Sequence, residues 1–200
     1  MIFDVSTIAN REKYRLLNGG IIPRAIAWIS TCSKDGIDNL APFSFFTVAS
    51  CVPPVLLYTQ VTQRNALDKD TLENLISTRE CVVNIVNTPL LAKMNKTSAS
   101  IESNKSEFEY ANIDTSDSYK VRPLSVKESP IRYECSLREI IRISDEPAGG
   151  TIVLLDVNYI YVRDDLYTND EINQELVDSV GKMGGNGYTH SGNYVELLRP

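Results

Sequence analysis

PRAIAWISTCSKDGIDNLAPFSFFTVASCVPPVLLYTQ, residues 23–60, reads as two strands around a polar turn, followed by an uncommon mixture of residues. Ile21 to Thr31 is β-rich, punctuated early by Pro23. Lys34-Asp35-Gly36 offers the Asp-Gly chemistry of a hairpin turn. Asn39 to Ser50 follows as a strand kinked at Pro42, and Val52-Pro53-Pro54 breaks it ahead of a short run from Val55 to Thr59. Small hydroxyl residues (Ser30, Thr31, Ser44, Thr47 and Ser50) sit among aromatics and prolines. That mixture suits a site holding both a flat apolar ring and an anion.

Outward from this stretch the chain supports one domain, residues 1–200, with no internal repeat and no linker-like segment. A hydrophobic content of 42% supplies a core, and a charged content of 23% argues against disorder. The net charge of −6 argues against a nucleic-acid or anionic-membrane surface, because both need clustered Lys and Arg. No apolar run reaches the roughly 18 residues of a membrane span, and the N-terminus MIFDVSTIANREKYRLL lacks the apolar centre of a secretory signal. Cys32, Cys51, Cys81 and Cys135 show no metal-ligand spacing and read as free thiols of a reducing cytoplasm. His190 is the single histidine, which excludes a multi-histidine metal site and leaves a Ser-His-Asp triad poorly supported.

A helix is expected over 6–17, capped by Ser6 or Thr7, with Tyr14, Leu16 and Leu17 as inward anchors and Asn18-Gly19-Gly20 as its stop. Asp70 to Thr78 reads as a second helix, capped by Asp70, with Leu72, Leu75 and Ile76 inward. Cys81 to Asn87 is a buried strand, and Pro89 to Lys96 a further helical piece. The polar stretch from Thr97 to Ser118 reads as mobile surface with a short helix near Phe108. Ile131 to Ile143 and Thr151 to Val162 are long strands joined by a turn at Glu146 to Gly150. Strands outnumber helices and do not alternate with them, so the expected class is mainly β with flanking helices: an antiparallel, Greek-key barrel.

Three motifs carry chemistry. Pro42 inside NLAPFS (39–44) removes a ladder donor, marking a barrel corner or backbone N–H groups turned toward a ligand. Asp68-Lys69-Asp70-Thr71 opens a helix, where unpaired N–H groups and a neighbouring ammonium favour an anion. The glycines Gly181, Gly184, Gly185 and Gly187 lack dinucleotide-fingerprint spacing; they read as a flexible loop or as backbone passing close to a flat ligand, with Tyr188 available to cover it. Trp28 reads as core, and the acidic pairs Asp164-Asp165 and Glu171/Glu175 as solvated surface.

In order along the chain, PRAIAWIST (23–31), Gly36, NLAPFSFF (39–46), Pro53-Pro54, KDTLENLI (69–76), VVNIV (82–86), MNKTSA (94–99), FEYANI (108–113), VGKMGGNGY (180–188) and Leu198-Arg199-Pro200 resemble the flavin reductase-like family, which binds FMN on a split barrel. The resemblance covers nearly the whole chain. It implies a homodimer with FMN near the subunit interface. By that resemblance Ser30, Thr31, Asn39, Ala41, Ser44, Ser50 and Cys51 line the flavin and its phosphate chain, and Lys69 and Thr71 help hold the phosphate. Gly184 and Tyr188 approach the ring. It further implies a cytoplasmic oxidoreductase that takes hydride from NADH or NADPH and hands reduced flavin to a partner oxygenase or another acceptor. No catalytic residue is nominated, because hydride transfer between two rings asks the protein for positioning rather than for an acid or base. The chain departs from the family at His190, two residues after the tyrosine, where an arginine often stands. An FMN-binding electron carrier, a non-enzymatic flavin or haem sensor, and a ligand-free scaffold stay open as alternatives.

Overall fold

The computed structural model describes residues 1–62, 68–192 and 195–198; Arg199 and Pro200 of the closing motif lie outside the described residues. Its helices are α1 (Asn10–Gly20), α2 (Asp70–Thr78), α3 (Leu91–Lys96), α4 (Glu107–Tyr110) and α5 (Gln174–Val177). Its strands are β1 (Ala27–Cys32), β2 (Asp38–Phe43), β3 (Phe46–Cys51), β4 (Pro54–Val61), β5 (Glu80–Ile85), β6 (Thr115–Ser116), β7 (Ser125–Val126), β8 (Ile131–Arg142), β9 (Gly150–Val162), β10 (Tyr167–Thr168), β11 (Glu171–Ile172), β12 (Val180–Lys182) and β13 (Tyr188–His190).

A seven-stranded antiparallel sheet runs in the order β2-β1-β5-β8-β9-β4-β3. β2 and β3 are consecutive in sequence yet occupy opposite edges, so the sheet curls into a split barrel. The Thr59 N–H donates to Phe45 O at 2.8 Å, carrying the β3–β4 ladder back toward that seam. Here the structure corrects the sequence reading: 39–50 is two strands, not one. Pro42 stays inside β2, opposite Trp28. It is tolerated there because β2 is an edge strand, where a missing donor leaves no ladder bond unmade. The break falls instead at Ser44-Phe45. The β1–β2 turn matches expectation, with Gly36 at φ +88°, a left-handed backbone that suits glycine.

Barrel interior and outer layer are both apolar. Ala27, Ile29, Tyr58, Leu72, Leu75, Val83, Val153 and Leu155 fill the interior. Trp28, Leu40, Val86, Met94, Phe108 and Val126 pack on the other face of β1 and β5. All six residues of β1 are therefore buried. The outer layer is the stretch expected to be mobile surface: Phe108, Ala111 and Ile113 are buried. Polar pins hold it. The Trp28 indole donates to Thr97 Oγ1 at 2.9 Å. Asn84 donates to Trp28 O at 3.0 Å and accepts the Val126 N–H at 2.9 Å.

Helix positions hold better than helix details. α1 begins later than expected because Ser6 and Thr7 spend their hydroxyls on Asp4, capping an earlier turn. Its Tyr14, Leu16 and Leu17 are exposed, and Asn18 is the buried residue. α2 matches its expected range, but Lys69 takes the N-cap position without a side-chain bond. The Asp70 carboxylate instead accepts Ser103 Oγ at 2.9 Å. Leu72 and Leu75 face inward as expected, whereas Ile76 is exposed.

The Asn84 bridge is testable. Asn84→Leu keeps the volume but strands the Val126 N–H in an apolar layer, at a cost of about 1–3 kcal/mol. Urea unfolding should show the free energy of unfolding lower by that amount, and so a lower midpoint at an unchanged slope.

Candidate functional site

The first turn of α2, the middle of β2 and the segment after α3 meet around a cavity of about 310 Å³. Asn39 and Ala41 reach it from β2, Lys69 and Thr71 from α2, and Ser98 and Ser100 from the segment after α3. Pro42 and Ser98 also line a neighbouring cavity of about 570 Å³, whose other walls include Ile26, Ser44, Asn95, Lys182 and Tyr188. Together they form a groove that runs from a helix N-terminus to an aromatic residue on the β12–β13 hairpin.

At the helix end the chemistry favours an anion. The first N–H groups of a helix have no intrahelical partner. Burial holds the Lys69 ammonium below the ordinary lysine range. Its nitrogen sits 4.9 Å from the centre of the Phe43 ring. Among the described residues it makes no salt bridge. Two of the acidic neighbours are occupied elsewhere: Asp68 pairs with Arg142 at 2.7 Å, and Asp70 accepts from Ser103; Glu73 also lines this cavity.

Beneath the groove lies a buried polar network. Asn39 Oδ1 accepts Thr71 Oγ1 at 2.8 Å and Thr31 Oγ1 at 3.3 Å. Asn39 Nδ2 donates to Glu107 Oε2 at 3.0 Å, and the same oxygen accepts the Leu40 N–H at 2.9 Å. Asn74 Nδ2 donates to Thr31 Oγ1 at 3.1 Å. Thr31 thus acts through Asn39 and lies behind the groove wall. Burial raises the Glu107 carboxyl above its usual range, against the opposing pull of its two donors.

At the other end, Tyr188 donates its hydroxyl to Asn95 Oδ1 at 2.9 Å, tying the hairpin to α3. Lys182 Nζ lies 4.6 Å from the Tyr188 ring centre. It donates to Met183 O at 3.1 Å and Gly187 O at 3.0 Å, so it closes the hairpin from within. Gly181 is held against β1's lead-in, where a Cβ would stand 2.8 Å from Pro23 Cβ.

Asn39, Ala41, Ser44, Lys69, Thr71 and Tyr188 are thus gathered along one groove. Others are not. Ser30 is fully buried and donates to Leu124 O at 2.6 Å, so its hydroxyl serves the outer layer. Ser50 and Cys51 lie at the far end of β3, paired with Val55 and Pro54, and line neither cavity. At the hairpin turn Gly185 and Asn186, rather than Gly184, form the wall. His190 meets Thr88 Oγ1 at 2.9 Å and lines a different cavity. Sequence reasoning missed Asn74, Asn95, Glu107 and Lys182. The MNKTSA motif contained Asn95, but nothing local pointed to its bond with a hairpin 93 residues away.

The flavin reductase like domain family matches this chain over residues 19–183. An uncharacterized protein of Halalkalibacterium halodurans is 34% identical over 203 residues, covering 100% of this chain and 97% of its own. Component B of nitrilotriacetate monooxygenase from Bacillus cereus superposes with a TM-score of 0.93 at 30% identity, over 98% of both chains. The 2-nitrobenzoate 2-nitroreductase NbaA of Pseudomonas fluorescens gives a TM-score of 0.90 at 27% identity, over 100% of this chain and 96% of its own.

Glu107 yields a pH test. A carboxyl whose folded pKa is raised binds more protons folded than unfolded between the two values, so stability rises as pH falls through that window. Glu107→Gln keeps an acceptor for Asn39 and Leu40 but cannot titrate. Thermal melts between neutral pH and the unfolded glutamate range should show the acid-side gain reduced in the variant.

Proposed function

The chain belongs to the flavin reductase-like family, and we propose that its groove binds FMN, with the phosphate at Lys69 and Thr71 and the isoalloxazine ring between Ser44 and Tyr188. One observation carries this reading: a half-buried lysine with no carboxylate partner among the described residues, at a helix N-terminus, opens a groove that ends on an aromatic side chain. A phosphate dianion would supply the missing partner for that ammonium through a charge-assisted bond. Between the two ends, Ala41 and Pro42 offer a smooth wall for the polyol. Bound FMN would supply two-electron redox chemistry that no side chain of this protein has.

The protein's own contribution is positional. Asn39, fixed on both its oxygen and its nitrogen, sets the distance between β2 and α2. Tyr188, fixed through Asn95, sets the hairpin over the ring end. Ser44 sits at the seam, held by Arg24 Nε at 3.3 Å. In this reading NADH or NADPH is the electron donor and the protein is an NAD(P)H-dependent flavin reductase. The oxygenase-component name of a relative at 30% identity supports a partner oxygenase as acceptor.

A homodimer is part of the same proposal. Beyond Asp156, β9 pairs with β8 alone. Its Tyr159, Ile160 and Tyr161 are exposed, and an apolar, half-paired strand is the kind of surface a second subunit covers. Free thiols at all four cysteines support a cytoplasmic location. No helix among the described residues is long and apolar enough to cross a membrane.

Three outcomes are expected. FMN-loaded protein should be yellow and should bleach under anaerobic NADH or NADPH; bleaching by dithionite alone would make it an electron carrier instead. Lys69→Ala should weaken FMN by about 1.5–3 kcal/mol in fluorescence titration and leave riboflavin, which has no phosphate, unchanged. FMN affinity should fall as pH rises through the lowered Lys69 pKa, because binding to the neutral amine must then take up a proton. Lys69→Arg, which stays charged, should flatten that fall.

A further inference from the structure

We propose that Lys182 is the positioning residue of the groove's Tyr188 end: its ammonium, caged by three carbonyl oxygens of the turn 183–187, fixes that turn and leaves an unneutralised positive charge against the groove. The ammonium donates to Met183 O at 3.1 Å, to Gly185 O, and to Gly187 O at 3.0 Å. A protonated lysine has three N–H donors, so this one turn takes all of them. The Tyr188 ring centre lies 4.6 Å from the same nitrogen, within reach of a cation–π attraction.

The turn has little else to hold it. Gly184, Gly185 and Gly187 give it no side chains, and a Cβ at Gly184 or Gly185 would meet nothing within 4 Å. Gly185 stands at φ +57°, a left-handed backbone that glycine adopts freely. The turn's own backbone bonds run from Met183 N–H to Gly187 O at 3.0 Å and from Gly187 N–H to Gly184 O at 3.1 Å. Arg24 Nη2 adds a long contact to Met183 O at 3.4 Å. Lys182 itself is anchored, because its N–H donates to Arg24 O at 2.8 Å and its carbonyl accepts the Arg24 N–H at 2.9 Å. The side chain thus reaches from a fixed backbone into a loop that glycine leaves free.

Lys182, Gly185, Asn186 and Tyr188 all line this end of the groove, so the shape of the clasp is the shape of that wall. Arg24 shares the corner, and neither cation pairs with a carboxylate among the described residues. Burial, and then the Arg24 charge, hold Lys182 below the ordinary lysine range. Fixed cations without a counter-charge stabilise negative charge that develops beside them. One consequence rests on the flavin reading: reduction adds negative charge to a bound ring, so Lys182 raises the potential of that ring. The clasp does not rest on it.

The test follows amide hydrogen exchange in the full chain, with and without FMN. In Lys182→Met, which keeps an unbranched side chain and loses the donors, the Met183 and Gly187 amides should exchange roughly tenfold faster or more, the factor one charge-assisted hydrogen bond supplies. The amides of β1 and β5 should stay protected. Lys182→Arg should also exchange faster, because a planar fork does not enter a cage built around a compact ammonium. In FMN-loaded protein the midpoint potential should fall in Lys182→Met and hold near its original value in Lys182→Arg, which separates charge from shape. Unchanged exchange in Lys182→Met would overturn the clasp. A potential that stays put in Lys182→Met, or falls equally in both variants, would overturn the role of its charge. An unmodified chain that binds no FMN while exchange responds as expected would sink the flavin reading and leave the clasp standing.

Discussion

The carboxamide of Asn39 is the joint on which the groove depends. Its oxygen takes donors from α2 and β1, and its nitrogen reaches the carboxylate of α4. One side chain thereby holds the barrel edge, a helix of the interior side and a helix of the outer layer in fixed relation. Such a network is expensive to build, because each buried polar atom must find its partner. Here the partners belong to elements far apart in sequence. Glu107 is the costly member: burial works against its charge, and its two donors restrain it. The result is a rigid floor beneath a groove whose upper rim is left to hydroxyls and a lysine.

The barrel was readable from local chemistry because its strands announce themselves. β1, β5 and β9 are rich in β-branched and apolar residues, β8 intersperses apolar residues with charged ones, and Gly36 marks the hairpin turn. The seam at Ser44-Phe45 was not readable. Pro42 drew attention as the breaker, yet an edge strand absorbs a proline without losing a ladder bond. Helix faces were misjudged where burial is decided by the third dimension. Leu17 and Ile76 carry apolar side chains that stay exposed among the described residues, and an apolar pattern cannot say whether a partner exists.

The site divided along the same line. Lys69, Thr71, Asn39 and Ala41 converge because they lie within or beside elements whose register is set by hairpins and helix starts. Ser30 went elsewhere because alternation on β1 puts it on the face of Trp28, where Leu124 claims its hydroxyl. Ser50 and Cys51 lie past the seam, on a strand that leaves the groove. The segment from Thr97 to Ile113 looked polar enough to be loose, but Trp28 fastens Thr97 and β2 fastens Glu107, and its serines become a groove wall.

The seam has a consequence of its own. Phe43 closes one ladder and Phe46 opens the next; the Phe45 carbonyl still accepts the Thr59 N–H, so Ser44 alone stands between the two. The side chain at the Tyr188 end of the groove is therefore spared the pairing rules that bind the rest of the sheet. Replacing it changes what fits there without disturbing register, so evolution can retune the chemistry at that one point while the ladders on either side stay as they are.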